Sequence, residues 1–385
     1  MKKKFLWILS AGHMFTDMNQ GALPAILPFL IVAGGLSYSG AAGLTFAIAL
    51  SSSVIQPLFG IWADKMSKPW LMPVGILMAG GCLSLIGFFP RHYSVMFTAA
   101  IFSGIGIAAF HPEAARIANH MAGSKKGGGM SIFSVGGNVG FAIGPALATA
   151  AILRFGLPGS VFLAVPAVTM CVILALQSGK MQNQIDMGLK ENPAAAKEIK
   201  NEWGKFSWLT LAVVARSIVF HSLNTFLPLY WLKVLHQSEA AAGATLTIMF
   251  AAGAVSTLIG GHLADRLGAN TIVKIGWILL IPLLFLFPKV ENPFFATLLL
   301  LPIAFGIFTV TTPMIVLGQK YLPGKLGFAS GVTLGLGVSI GGIAAPFVGK
   351  YADIHGLSAA FGLIAFIPIA GALVALTLRP PEKDR

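Results

Sequence analysis

The side chains in this chain that could do chemistry sit inside long apolar runs. His13, Asp17 and Gln20 recur at i, i+4 and i+7, with Pro24 at i+11, so a helix places them on one face. A second set is the string His111-Pro112-Glu113-Ala-Ala-Arg116, in which Glu113 and Arg116 at i, i+3 can pair and Pro112 lacks an N–H. A third is Arg216, with His221 and Asn224 further along, and Asn138 is an amide within a glycine-rich run. An ionisable group at the centre of a membrane helix costs about 2.5–3.5 kcal/mol on insertion scales, so it usually faces a cavity and has a task. A buried carboxylate can take up and release protons as water access alternates, which suits Asp17 and Glu113. Arg116, Arg216 and a protonated His suit an anionic group on a solute. The bland readings stand beside these: Glu113 and Arg116 can simply neutralise each other, and His13 and His111 can serve helix packing.

The elements that must position these groups are membrane spans. Of 385 residues, 56% are hydrophobic and only 10% charged, with a mean hydropathy of +0.82. A soluble domain needs roughly 25% charged residues. Apolar runs of about 20 residues cross the hydrocarbon core as helices. Such runs cover residues 5–33, 40–63, 70–90, 94–120, 127–153 and 158–178, then 205–233, 239–263, 270–288, 293–319, 326–350 and 357–378. The expectation is an all-α membrane protein of twelve transmembrane helices in two six-helix halves. Its parts are an N-terminal bundle 1–178, a polar cytoplasmic linker 179–204 and a C-terminal bundle 205–385. Asp17 falls about 18 Å along the first helix, near the midplane. Lys2-Lys3-Lys4 before an apolar stretch looks like a leader, but the polar residues and the spans that follow make it a retained first helix.

The formal charge of +13 is a topology signal. With the N-terminus inside, most Lys and Arg fall in cytoplasmic segments, among them Lys65, Lys68, Lys125, Lys126, Arg266 and Lys325, while the outer loops keep Arg91, Arg154, Lys233, Lys289 and Lys350. Both termini are then cytoplasmic, and nucleic-acid binding is set aside. Cys82 and Cys171 have no metal-ligand spacing, and neither a metal nor a cofactor is expected.

The chain also repeats itself. Shifted by 201 residues, Gly60, Ala63 and Asp64 fall on Gly261, Ala264 and Asp265, Pro112 on Pro313, Gly140 on Gly341 and Pro145 on Pro346. Two copies of an even number of spans cross in the same sense, a parallel repeat whose halves can rock about a central site. Asp64-Lys65 and Asp265-Arg266 each close the second helix of a half, where an acid beside a base can latch one state. The small residues of the fifth helix, Gly136, Gly140 and Gly144, have the spacing that lets helices pack backbone to backbone.

The twelve-helix repeat with Gly-x-x-x-Asp-[Lys/Arg] resembles the major facilitator superfamily. The strings His13-Met-Phe-Thr-Asp17-Met-Asn-Gln20, Ala63-Asp64-Lys65, Phe110-His111-Pro112-Glu113 through Arg116, and Ser131 through Asn138 look like those of the fosmidomycin-resistance efflux proteins. That resemblance implies a secondary active transporter, a proton-coupled antiporter exporting a drug-like or anionic small molecule by alternating access. It would work as a monomer in the bacterial inner membrane. Proton coupling would rest on Asp17, Glu113 and Arg116. Substrate contact would fall to His13, Gln20, His111, Asn138, Arg216 and His221, and gating to Asp64, Lys65, Asp265 and Arg266. A symporter importing a metabolite is the alternative. A membrane-embedded lipid-modifying enzyme is a further one, although no HExxH or dense acidic motif occurs.

Overall fold

The computed structural model of the chain describes residues 2–34, 38–65, 67–191 and 200–380. Among these there are helices and no strands. The N-terminal part holds α1 (Lys2–Gly34), α2 (Tyr38–Lys65), α3 (Leu71–Leu85), α4 (Tyr93–Met121), α5 (Lys126–Phe155) and α6 (Ala164–Glu191). The C-terminal part holds α7 (Trp203–Lys233), α8 (Glu239–Leu267), α9 (Ala269–Leu286), α10 (Pro293–Thr309), α11 (Thr311–Tyr321), α12 (Leu326–His355), α13 (Leu357–Ile364) and α14 (Ile367–Thr377). All twelve apolar runs are helical.

Two runs are broken, and both breaks have the same cause. α10 ends at Thr309 and α13 at Ile364, each four residues before a proline, Pro313 and Pro368. Those prolines lack the N–H that would bond the carbonyl four residues back, so the ladder is interrupted there. α4 carries Pro112 and passes through it unbroken. α6 departs from the expected end at residue 178: it continues through the polar stretch to Glu191. Residues 192–199 of the expected linker, and Lys383 and Arg385 at the C-terminus, lie outside the described residues.

Among the described residues, eleven helices are long and apolar enough to cross a bilayer. α1 is not among them, because His13, Asp17, Asn19 and Gln20 dilute its hydropathy. A polar helix in an apolar bundle is tolerated when its polar face is covered, and Asp17, His13 and Asn19 are buried. The outward surfaces are apolar instead: Leu153 is 72% and Phe347 73% exposed. In water each would forfeit about 1.5–3 kcal/mol of burial energy, but hydrocarbon accepts them without that loss.

The chain forms two compact units. One comprises residues 1–124, 132–200 and 323–335, and the other residues 125–131, 201–322 and 336–385. In the first, α4 packs closely on α2 and α3: a Cβ on Gly75 would lie 2.7 Å from the Gly106 carbonyl oxygen. A core of Met18, Leu23, Ile26, Leu44, Leu83 and Ile107 fills the space between α1, α2, α3 and α4.

Candidate functional site

The site grows out of the contact between α1 and α5 in the first unit. Gly136, Gly140 and Gly144 turn their bare Cα atoms to α1. A Cβ on Gly136 would lie 2.8 Å from the Ser10 carbonyl carbon, and one on Gly140 2.8 Å from the Met18 nitrogen. Only glycine permits that approach, as the small-residue spacing implied. Ser10 Oγ donates to the Ile132 carbonyl at 2.6 Å and fixes the register. The polar face of α1 is thereby held beside Phe133 and Gly137, and α4 brings His111 from the other side.

His13, Asp17 and His111 converge. His13 Nε2 lies 3.1 Å from Asp17 Oδ2, and His111 Nε2 lies 3.0 Å from Asp17 Oδ1. All three are buried, at 4%, 5% and 6% exposure. The other nitrogen of each ring settles the tautomer. His13 Nδ1 is 2.9 Å from the Phe133 carbonyl and His111 Nδ1 2.8 Å from the Ile107 carbonyl. A carbonyl oxygen only accepts, so both Nδ1 atoms carry hydrogen. In the neutral rings, both Nε2 atoms then present lone pairs to a carboxylate. Three acceptors facing one another in a dry site repel unless positive charge sits among them. His13 is further fixed by stacking on Phe133, with ring centroids 4.3 Å apart, and by an edge contact with His111.

Glu113 belongs to a different cluster. It follows His111 by two positions, about 200° around α4. Its carboxylate takes a two-pronged bond from Arg116, Nε to Oε2 at 3.1 Å and Nη2 to Oε1 at 2.9 Å. Ser67 joins them: it accepts from Arg116 Nη2 and donates to Glu113 Oε1 at 3.2 Å, and its Oγ also lies 2.5 Å from Gln182 Oε1. Glu113 is fully buried and Arg116 is 8% exposed.

The second unit holds Arg216 and His221 on α7. Arg216 is half-buried. Its Nε donates to the Ile307 carbonyl at 3.2 Å, and its guanidinium lies 5.6 Å from the Phe220 ring centroid. Among the described residues no carboxylate pairs with it. His221 Nε2 is buried without a hydrogen-bond partner among the described residues.

The repeated acids make twin contacts. Asp64 accepts from the Gly327 and Phe328 amides at 2.6 and 2.9 Å, at the start of α12 and within the first unit. Asp265 accepts from the Gly127 and Gly128 amides at 2.7 Å each, at the start of α5 and within the second unit. A carboxylate on the free N–H groups of a helix start is favoured by both hydrogen bonding and the helix dipole. The neighbouring bases Lys65 and Arg266 are exposed and form no ion pair among the described residues.

Comparison with known proteins agrees with this architecture. The family model of the Major Facilitator Superfamily matches residues 9–346. The chain belongs to the Major Facilitator Superfamily. Its curated relatives include the uncharacterized MFS-type transporter YfnC of Bacillus subtilis, 29% identical over 96% of this chain and 92% of that one. The fosmidomycin resistance protein of Escherichia coli is 28% identical over 98% and 94%. Among solved structures, the fucose:proton symporter FucP of E. coli matches with a TM-score of 0.75 at 13% identity, covering 98% of both chains. The human organic anion transporter MFSD10 gives 0.73 at 15% identity, over 96% and 97%. These likenesses show the fold. A superfamily of transporters overturns the lipid-modifying enzyme as an alternative: the protein is a multi-pass membrane transporter, not an enzyme.

Within this superfamily fold, the sequence-derived residues sort into groups. His13, Asp17 and His111 meet, while Glu113 and Arg116 form a separate pair in the same unit. Gln20 and Asn138 are half-buried on α1 and α5, and Arg216 and His221 lie in the second unit. Sequence reasoning missed Ser67, Gln182 and the special place of Gly137. A Cβ on Gly137 would lie 2.5 Å from Asp17 Oδ2 and 2.7 Å from His13 Nε2. Gly137→Ala is therefore expected to displace both side chains by up to about 1 Å and cut transport by roughly tenfold to a hundredfold. Gly81→Ala, with nothing within 4 Å, is the matched control. Solute accumulation by both variants at equal expression checks this.

Proposed function

We propose that the protein is a proton-coupled antiporter that exports a drug-like or anionic small molecule by alternating access. The observation that carries this reading is the convergence of Asp17 with two histidines whose free nitrogens all face it. Such a cluster holds together only when loaded with positive charge, and protons are the charge every membrane supplies. Loading and unloading it from opposite sides is what proton coupling requires. The Glu113–Arg116 pair is the second proton-sensitive element, since protonating Glu113 would release Arg116. Arg216, without a carboxylate partner among the described residues, suits an anionic solute, with His13, Gln20, His111, Asn138 and His221 as further contacts.

Asp64 and Asp265, with Lys65 and Arg266 beside them, act as the gates. Each acid comes from one sequence half and holds the first turn of a helix from the other, and opening to the cytoplasm releases these contacts. The halves 1–178 and 205–385, joined by 179–204, are the rocking bodies. The protein would work as a monomer in the bacterial inner membrane with both termini cytoplasmic. Export is favoured over import by the name of the E. coli relative, a fosmidomycin resistance protein. Import by symport is the second reading, prompted by the fucose:proton symporter of similar fold.

The test is reconstitution in vesicles with an imposed pH gradient. Addition of a carried solute should drive proton movement opposite to solute movement. Protons moving with the solute would establish symport, and no proton movement with any carried solute would refute coupling.

A further inference from the structure

We propose that His13, Asp17 and His111 form a binding site for one divalent first-row transition-metal cation. The proposal takes up the cluster read above as a charge-loading site and names a second class of occupant for it. The ligand atoms of the three side chains lie within 4.8 Å of one another, on two helices of one compact unit. Two imidazoles and one carboxylate on one side of a point are a donor set suited to Zn, Fe, Ni or Co, whereas Mg and Ca prefer oxygen alone.

Three further features fit a metal site. Both Nδ1 atoms are tied to backbone carbonyls, of Phe133 and Ile107, which fixes each ring and leaves Nε2 as the donor. That second layer of hydrogen bonds is the usual partner of a metal-bound histidine. Gly137 leaves open the space against both Asp17 Oδ2 and His13 Nε2, where any other residue would place a carbon. The charge also balances. Among the described residues no Lys or Arg pairs with Asp17, so the carboxylate has only neutral-capable rings beside it. A divalent ion bound there leaves a net charge of about +1, the same as two protons. Small rotations of the rings would bring the donors to the metal–nitrogen bond length of about 2.0–2.1 Å.

The full-length protein, purified in detergent with its affinity tag removed, should bind about one Co2+ per chain and develop visible d–d absorption. With Cu2+, electron paramagnetic resonance should show hyperfine coupling to two nitrogens, a readout that needs no variant. Asp17→Asn and His111→Gln should each weaken Co2+ binding at least about tenfold, while the loop variant His92→Ala binds as the parent does. Absence of binding, a nitrogen-free copper spectrum, or equal binding by parent and the Asp17 and His111 variants would each overturn the proposal. Proton coupling is read separately, in chelator-treated vesicles. Coupled flux there without Co2+ binding in detergent refutes the metal site alone, and Co2+ binding without flux refutes the coupling alone.

Discussion

Asp17→Asn is expected to abolish proton-coupled transport while leaving the fold intact. The amide has nearly the same shape as the carboxylate. Its NH2 can donate to one of the two histidine Nε2 atoms that lie 3.0 and 3.1 Å from the native oxygens. The packing of α1 on α5, which depends on Gly136 and Gly140 against the backbone of Ser10, Met14 and Met18, is untouched. What disappears is the only negative charge in the cluster. A neutral amide cannot draw protons into a buried site or release them. Coupled flux should fall by roughly 10²-fold or more, the low end of what a positioned proton-transfer group supplies. Exchange of labelled solute across the membrane with no gradient should persist, because rocking of the halves needs no net proton movement. Both are measured on the same vesicles. Wild-type proton flux in the Asp17→Asn protein would remove Asp17 from the coupling mechanism.

The cluster around Asp17 was half legible in the sequence. His13 and Asp17 are four residues apart on one helix, so the helical period alone pairs them. His111 is 94 residues away from Asp17, and no local pattern predicts that its ring meets that carboxylate. The same limit explains why the sequence, which offers Asp17 and Glu113 for the same task, could not show that they sit in separate clusters. On α4, His111 and Glu113 are close in sequence but point in nearly opposite directions, one to α1 and the other to Ser67. Asp64 and Asp265 teach a related lesson. The sequence offers Lys65 and Arg266 as their partners, yet both acids bond backbone amides at helix starts. Every residue has an amide, so composition carries no such signal, and only the 201-residue repeat hinted that the two acids do the same thing. The spans, by contrast, were plainly readable, because hydrocarbon imposes a length and an apolarity that few other contexts need.

The pair Glu113–Arg116 decides how much of this buried charge is coupling and how much is scaffold. Removing one partner should destabilise the protein strongly, by about 3–5 kcal/mol, since the other charge is left buried and unpaired. For a chain of this size that is a fall of roughly 4–6 °C in apparent Tm in detergent. Glu113→Gln leaves Arg116 with Ser67 and no carboxylate, and Arg116→Met leaves Glu113, which is fully buried, without its two-pronged donor. The double replacement Glu113→Gln with Arg116→Met removes both charges together and should recover most of the lost stability. Transport by that double variant then separates the two roles. If the pair responds to protons, the protein should be folded and able to exchange solute but should show coupled flux reduced at least about tenfold. If the double variant couples as the parent does, the pair is scaffold and proton coupling falls to Asp17 alone. Arg116 also lies within electrostatic reach of Asp64. A released Arg116 could therefore compete for the carboxylate that holds the start of α12, which would tie the protonation of Glu113 to that latch. The single variant Glu113→Gln mimics the protonated acid. It should accordingly shift the protein toward the cytoplasm-open state, seen as faster labelling of a cysteine that replaces the half-buried Phe328, whose backbone amide still serves Asp64, whereas the double variant should not.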